Sequence, residues 1–221
     1  MCKDSRIPSV SPLISEELKQ QMMQLFSKLK KKIRMIAVLD LKDEKCMEMG
    51  AFLNAIQSCS DMLELEVIER GTNEHIETEL HAEHLPVVGL YTEQYSGVCF
   101  HGVPGGKEIN SFVAAICNLG EAAQPLDKGL KKNIEKIKTR IDINIFVSLA
   151  CHHCPHVVAA CQKIAIANPC VTADMYDAKL YPDIVDKYHI ERVPMMVVNE
   201  IHVIMGQKSI DEIVNLLVNI S

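Results

Sequence analysis

Apolar residues recur at helical spacing from Ser15 onward: Leu18, Met22, Leu25, Phe26 and Leu29 share one face, with Ser15 as cap and Glu16 and Glu17 in the first turn. An apolar run of strand length follows at Ile33–Leu39, then a second helical pattern to about Cys59. Over Met62–Ile68, Leu63, Leu65 and Val67 alternate with Glu64 and Glu66, which predicts a strand. After a polar stretch, Pro86–Tyr91 and Gly97–Phe100 read as two strands and Lys107–Leu119 as a closing helix. Residues 1–14 carry Pro8 and Pro12 without periodicity and are expected to form a flexible tail.

The same order then returns. Leu126, Leu130, Ile134 and Ile137 stand 108 residues after Leu18, Met22, Phe26 and Leu29 on a lysine-rich amphipathic helix. A strand at Ile143–Leu149 follows, then a helix through Val157, Val158, Cys161 and Ile164, a strand at Val171–Met175 and a short helix near Lys179–Tyr188. Strands at Met195–Val198 and His202–Met205 complete the second copy. Cys154, Ile164 and Pro194 each lie 108 residues after Cys46, Ile56 and Pro86. Only the last helix changes register, with Lys208–Leu217 matching Lys107–Ile116 at an offset of 101, so the first copy carries about seven extra residues around Gly102–Gly106. A period near 108 residues is domain-sized, since solenoid repeats run at about 20–50. The fold class is therefore read as α/β, in two tandem folds spanning residues 15–120 and 121–221.

Composition narrows the function classes. The 221 residues carry a net charge of −6, with acidic and basic residues mixed and no basic stripe, so no nucleic-acid partner is expected. No run approaches 18 apolar residues, so no membrane span is expected, and Met1–Arg6 lacks the apolar core of a secretory signal. A cytoplasmic location is the expectation. Nine cysteines cannot all pair, and Cys2, Cys46, Cys59, Cys99, Cys117, Cys161 and Cys170 are scattered singly, as small buried residues would be.

Cys151 and Cys154 need another explanation. The segment Cys151-His152-His153-Cys154-Pro155 follows an apolar strand and opens a helix. Unpaired backbone N–H groups and the positive helix end favour a thiolate there, and protonated His152 and His153 push the same way. Cys154 is one turn along, close enough for a small-ring disulfide, and Pro155 sits where its missing N–H costs nothing. Cys151 is thus the candidate nucleophile and Cys154 the buried resolving thiol. Zinc at this pair would need two further ligands at metal spacing, and no second Cys-x-x-Cys exists, so no metal is expected. His156 and His189 read as surface histidines.

Two such folds, the first lacking the cysteine pair and the second carrying Cys-His-x-Cys-Pro, resemble the N-terminal domain of the bacterial alkyl hydroperoxide reductase flavoprotein subunit. The resemblance covers about residues 15–221 and includes Ser148–Val158, Val193-Pro194 and Gly102-Val103-Pro104-Gly105-Gly106-Lys107-Glu108. It implies two thioredoxin-like folds of the glutaredoxin and protein disulfide oxidoreductase type. It also implies a dithiol–disulfide carrier that takes electrons from a flavoprotein disulfide reductase and passes them to a peroxiredoxin. A general protein disulfide oxidoreductase or isomerase, resembling archaeal two-fold proteins, is the alternative; those usually keep a pair in both halves. The chain holds no Gly-x-Gly-x-x-Gly and no flavin domain, so no cofactor beyond the disulfide is expected.

In thioredoxin-like domains the proline opening the third strand is cis and faces the cysteine pair, which makes Val193 and Pro194, with His152 and His153, the expected docking residues. A strand-opening proline is also simply compatible with sheet geometry. Asp43-Glu44-Lys45-Cys46 stands where the second copy has its motif, leaving Cys46 a packed thiol or a relic. The buried acid common in thioredoxins falls here on Ile145, and the resembled family supplies a glutamate from the first fold instead. Glu108 matches it as proton acceptor for Cys154, the plain alternative being a glutamate suited to its helix start.

Overall fold

The computed structural model describes residues 6–221; residues 1–5, Cys2 among them, lie outside the described residues. The first half runs α1 (Glu16–Phe26), β1 (Ile33–Leu39), α2 (Glu44–Gln57), β2 (Leu63–Glu69), α3 (Glu74–Glu79), β3 (Val87–Tyr91), β4 (Tyr95–His101), a 3-10 turn (Gly106–Glu108) and α4 (Ile109–Leu119). The second half repeats the order as α5 (Lys128–Ile134), β5 (Ile141–Val147), α6 (Cys154–Ala167), β6 (Val171–Asp177), α7 (Pro182–Lys187), β7 (Met195–Val198), β8 (His202–Met205) and α8 (Ile210–Ile220). Helix starts follow local chemistry. The side chains of Ser15, Asp43, Asp127 and Ser209 each accept a backbone N–H of their helix's first turn, and Ser209 with Glu212 closes a capping box.

The two strand sets do not form separate sheets. They join in one eight-stranded sheet of order β2-β1-β3-β4-β6-β5-β7-β8. β4 and β6 run parallel across the seam, with Cys99 beside Asp174 and His101 beside Tyr176. One face carries the main core, where Phe26, Phe52, Phe112, Leu130, Val157, Ile164 and Leu217 pack from α1, α2, α4, α5, α6 and α8. The opposite face is thinner. Leu80 beside α3 covers Ile36, Val38 and Cys99, and Ile184 of α7 covers Phe146 and Tyr176. Burial on both faces explains why β1 and β3 read as nearly continuous apolar runs.

Several expectations shift. Residues 6–14, expected as a flexible tail, lie against the first fold: Ile7 and Ser11 are buried and the Pro8 carbonyl accepts from Asn54 Nδ2 at 3.1 Å. Three apolar residues, Ile7, Leu13 and Ile14, are too few for periodicity yet enough to anchor the segment on the core. The strand expected at Ile143–Leu149 is Ile141–Val147, because Ser148 turns the chain and its carbonyl accepts from Cys151 N–H at 2.8 Å. Helix α3 leaves no mark in its polar stretch, since none of its residues is buried. The second copy's short helix is trimmed to Pro182–Lys187, starting at its proline. The extra residues of the first copy are also located. β4 has seven residues to the four of β8, and the Gly102–Gly105 turn follows it.

Candidate active site

Val147 ends β5 at the same rim of the sheet where β7 begins, since Phe146 pairs with Met195. Cys151 leaves the turn after β5, and Pro194 precedes β7, so register alone brings both to that rim. Cys151 and Cys154 form a disulfide with Cα atoms 5.6 Å apart. Cys151 is partly exposed and Cys154 fully buried, while His152 and His153 are exposed beside them. The Cys151 sulfur accepts the backbone N–H of Cys154 at 3.1 Å, so helix α6 aims an orphan donor at the outer sulfur. Pro155 lies in the first turn of α6, as the motif required. The Val193–Pro194 peptide is cis, as is Leu85–Pro86 at the equivalent point of the first fold. Val193 is half-buried against the main core and Pro194 is buried.

Glu108 reaches this region from the first fold. It ends the 3-10 turn, and that turn packs against α6. Lys107 N–H donates to the Leu149 carbonyl at 2.9 Å, two residues before Cys151. Gly106 makes the approach possible: its φ is +53°, and a Cβ there would lie 2.5 Å from the Leu149 carbonyl oxygen. Glu108 is 0% exposed. The Ser111 hydroxyl donates to its Oε2 at 2.5 Å, and its Oε1 has no partner among the described residues. Burial raises its pKa to about 7, with the Ser111 hydroxyl opposing and the charge of Asp177 adding to the rise. A carboxyl near neutrality is suited to taking and returning a proton. No hydrogen bond joins it to either sulfur in this oxidised state.

The first fold's counterpart of the motif is built differently. Asp43, in the place of Cys151, accepts the Cys46 N–H through its carboxylate at 2.9 Å. Cys46 is buried, and desolvation pushes its thiol up to about 12. His156 and His189 are exposed, as expected. Sequence reasoning passes over Asp177, a buried acid ending β6 whose pKa burial raises and whose charge bears on Glu108. Its one signal is an acid at the end of a strand that is otherwise mostly buried. No helix among the described residues is long and apolar enough to cross a membrane.

A thioredoxin domain model matches residues 141–218, within the fold that carries the disulfide. The F component of Staphylococcus aureus alkyl hydroperoxide reductase is 27% identical over 206 residues, covering 93% of this chain but 38% of that protein. The chain thus spans about two fifths of the length of that curated relative. A protein disulfide oxidoreductase from Aeropyrum pernix is 22% identical with a TM-score of 0.84, over 95% of this chain and 94% of that one, and shares the paired fold. The NTD_N/C domain of the alkylhydroperoxide reductase AhpF from Enterococcus faecalis superposes with a TM-score of 0.88 at 40% identity, over 92% of this chain and 99% of that one. Two fused thioredoxin-like folds, one of them keeping its cysteine pair, place this chain in the family of the AhpF N-terminal domain of alkyl hydroperoxide reductase.

Proposed function

We propose that this chain is a thiol–disulfide oxidoreductase that carries electrons from a flavoprotein disulfide reductase to a peroxiredoxin or a similar disulfide acceptor. The observation that carries the reading is the Cys151–Cys154 disulfide at the start of α6, with one sulfur accessible and the other sealed below it. In the reduced chain the Cys151 thiolate attacks one sulfur of the acceptor's disulfide. A mixed disulfide forms and the acceptor's other sulfur leaves as a thiolate, which takes a proton from solvent. Glu108 takes the proton of Cys154, whose thiolate attacks Cys151. The acceptor's second sulfur leaves as a thiolate and takes up the proton that Glu108 gives back, the Cys151–Cys154 bond reforms, and two electrons have moved. A dithiol of the flavoprotein returns the pair to its reduced state by the reverse exchange. Val193, Pro194, His152 and His153 frame the accessible sulfur and serve as the docking rim.

The chain is proposed to work with no cofactor but this disulfide. The pure protein is then expected to be colourless and unable to oxidise NADH alone. Mixed with NADH and a thioredoxin-reductase-like flavoprotein, the oxidised chain should release two thiols, which an oxidised peroxiredoxin then consumes. Flavin absorbance in the pure chain, or no thiol release with the flavoprotein, overturns the reading.

A further inference from the structure

Away from the disulfide, the seam between the two folds holds a cluster the redox reaction does not use. Cys99 and His101 stand two apart on β4 and so face the same side of the sheet, and β6 places Asp174 beside Cys99. All three are buried, at 0%, 0% and 2% exposure. The thiol sulfur, an imidazole nitrogen and a carboxylate oxygen lie within 4.8 Å of one another. Cys99 Sγ and His101 Nε2 are 3.2 Å apart.

Each donor is held from behind. His101 Nδ1 lies 2.9 Å from the His84 carbonyl, which can only accept, so Nδ1 carries the hydrogen and Nε2 presents a lone pair to Cys99. Tyr176 stacks on the ring with centroids 4.1 Å apart, and burial keeps the imidazole neutral by lowering its pKa to about 4. Asp174 Oδ2 is paired with His81 Nδ1 at 2.8 Å. Its Oδ1 is buried with no partner among the described residues. Burying an acceptor without a donor is costly, and a fold that keeps one on a carboxylate clustered with a thiol and an imidazole lone pair invites a cation.

We propose that Cys99 Sγ, His101 Nε2 and Asp174 Oδ1 form a zinc site that fastens the two folds together. Sulfur, nitrogen and oxygen donors together suit this borderline-soft ion, and ideal tetrahedral bonds would set sulfur and nitrogen about 3.6 Å apart. The observed spacing is within a few tenths of an ångström of that. Binding displaces the Cys99 proton to solvent, so a thiolate and a carboxylate balance the ion's two charges and the buried site is neutral. The hydrogen bonds to the His84 carbonyl and His81 are the orienting contacts such ligands require. A cavity of about 390 Å³ lies next to the cluster, lined among others by His81, which pairs with Asp174, and Tyr176, which stacks on His101. Cys99 and His101 belong to the first fold and Asp174 to the second, so the ion would bridge them.

The test uses the full chain with Cys151–Cys154 kept oxidised, so that the redox pair cannot take metal. Zinc sulfate should bind with one-to-one stoichiometry and raise the thermal midpoint, and cobalt chloride should give thiolate-to-cobalt absorption in the near ultraviolet. Asp174→Asn, which preserves shape, should weaken binding about 10–100-fold or more. Cys99→Ser should abolish the cobalt–thiolate band. Cys170→Ser, which removes a partly exposed thiol elsewhere, should change neither. A wild-type chain that takes up neither metal stoichiometrically overturns the site and leaves a hydrogen-bonded plug at the seam. So does binding that survives Asp174→Asn and fails in Cys170→Ser.

Discussion

Helices α2 and α6 start at equivalent points of the two folds, and each gives the same backbone N–H to the residue three positions earlier. In α2 the acceptor is the carboxylate of Asp43; in α6 it is the sulfur of Cys151. One donor thus serves either as an ordinary helix cap or as a hand on a reactive sulfur. The first fold has a charged capping acceptor and no cysteine pair. The second exchanges that capping carboxylate for an atom that can be oxidised. A cysteine pair exists in one fold and not the other because of the outer position, since the inner cysteine is present in both. In the first fold it is Cys46, a packed thiol held protonated by burial.

Substitutions at the sulfurs should separate the two helix starts most sharply. Cys151→Ser should reduce disulfide exchange to background, and Cys154→Ser should leave a trappable mixed disulfide on Cys151, read by non-reducing electrophoresis or mass. Trapping by Cys151→Ser and not by Cys154→Ser would reverse the roles. The next test asks whether the first fold supplies the proton acceptor. Glu108→Gln should slow exchange about tenfold or more near neutral pH, and the deficit should shrink as pH rises and hydroxide takes over as proton acceptor. Glu44→Gln, on the first fold's α2, should do little. Equal rates for Glu108→Gln and wild type across pH 6–8 would confine the first fold to scaffolding.

Stability should move the other way. Burial raises the folded-state pKa of Glu108 from 4.5 to about 7, so in that window the native chain holds a proton the unfolded chain has lost. Native stability therefore falls as pH rises through the window. With each unit near 1.4 kcal/mol, the oxidised wild type should lose about 3 kcal/mol relative to Glu108→Gln between pH 4.5 and 8, read from urea midpoints. A parallel pH dependence in the two proteins would show that Glu108 titrates normally. The smallest effect belongs to the inert cap: Asp43→Ala should cost about 1 kcal/mol of stability and leave exchange rates unchanged. A rate loss there would mean that α2 takes part in the reaction.

The repeat and the cysteine pair were legible because both are local. Periodicity marks helices and strands, and Cys151 to Pro155 are contiguous. Glu108 was reached through resemblance, and its burial depends on Gly106 letting one turn touch Leu149, a contact no single-sequence pattern encodes. Cys99, His101 and Asp174 were illegible together. Cys99 and His101 look like two ordinary residues of an apolar strand, and their partner Asp174 is brought beside them only by the pairing of β4 with β6. That pairing joins the two folds into one sheet, and tandem periodicity gives no hint of it.

The same pairing has a consequence for the chain as a material. A lone copy of the second fold would end at β6, with a row of unpaired N–H and C=O groups along Ala173–Tyr176, where β4 now lies. Such an open edge is a template for another strand, from a second copy or a misfolded neighbour. In the intact chain those groups are occupied within the molecule, so the sheet has two free edges, at β2 and β8, where two separate sheets would have four. The fold without the cysteine pair thus shields its partner from self-association, a duty that needs no cysteine and does not depend on the redox state of the pair.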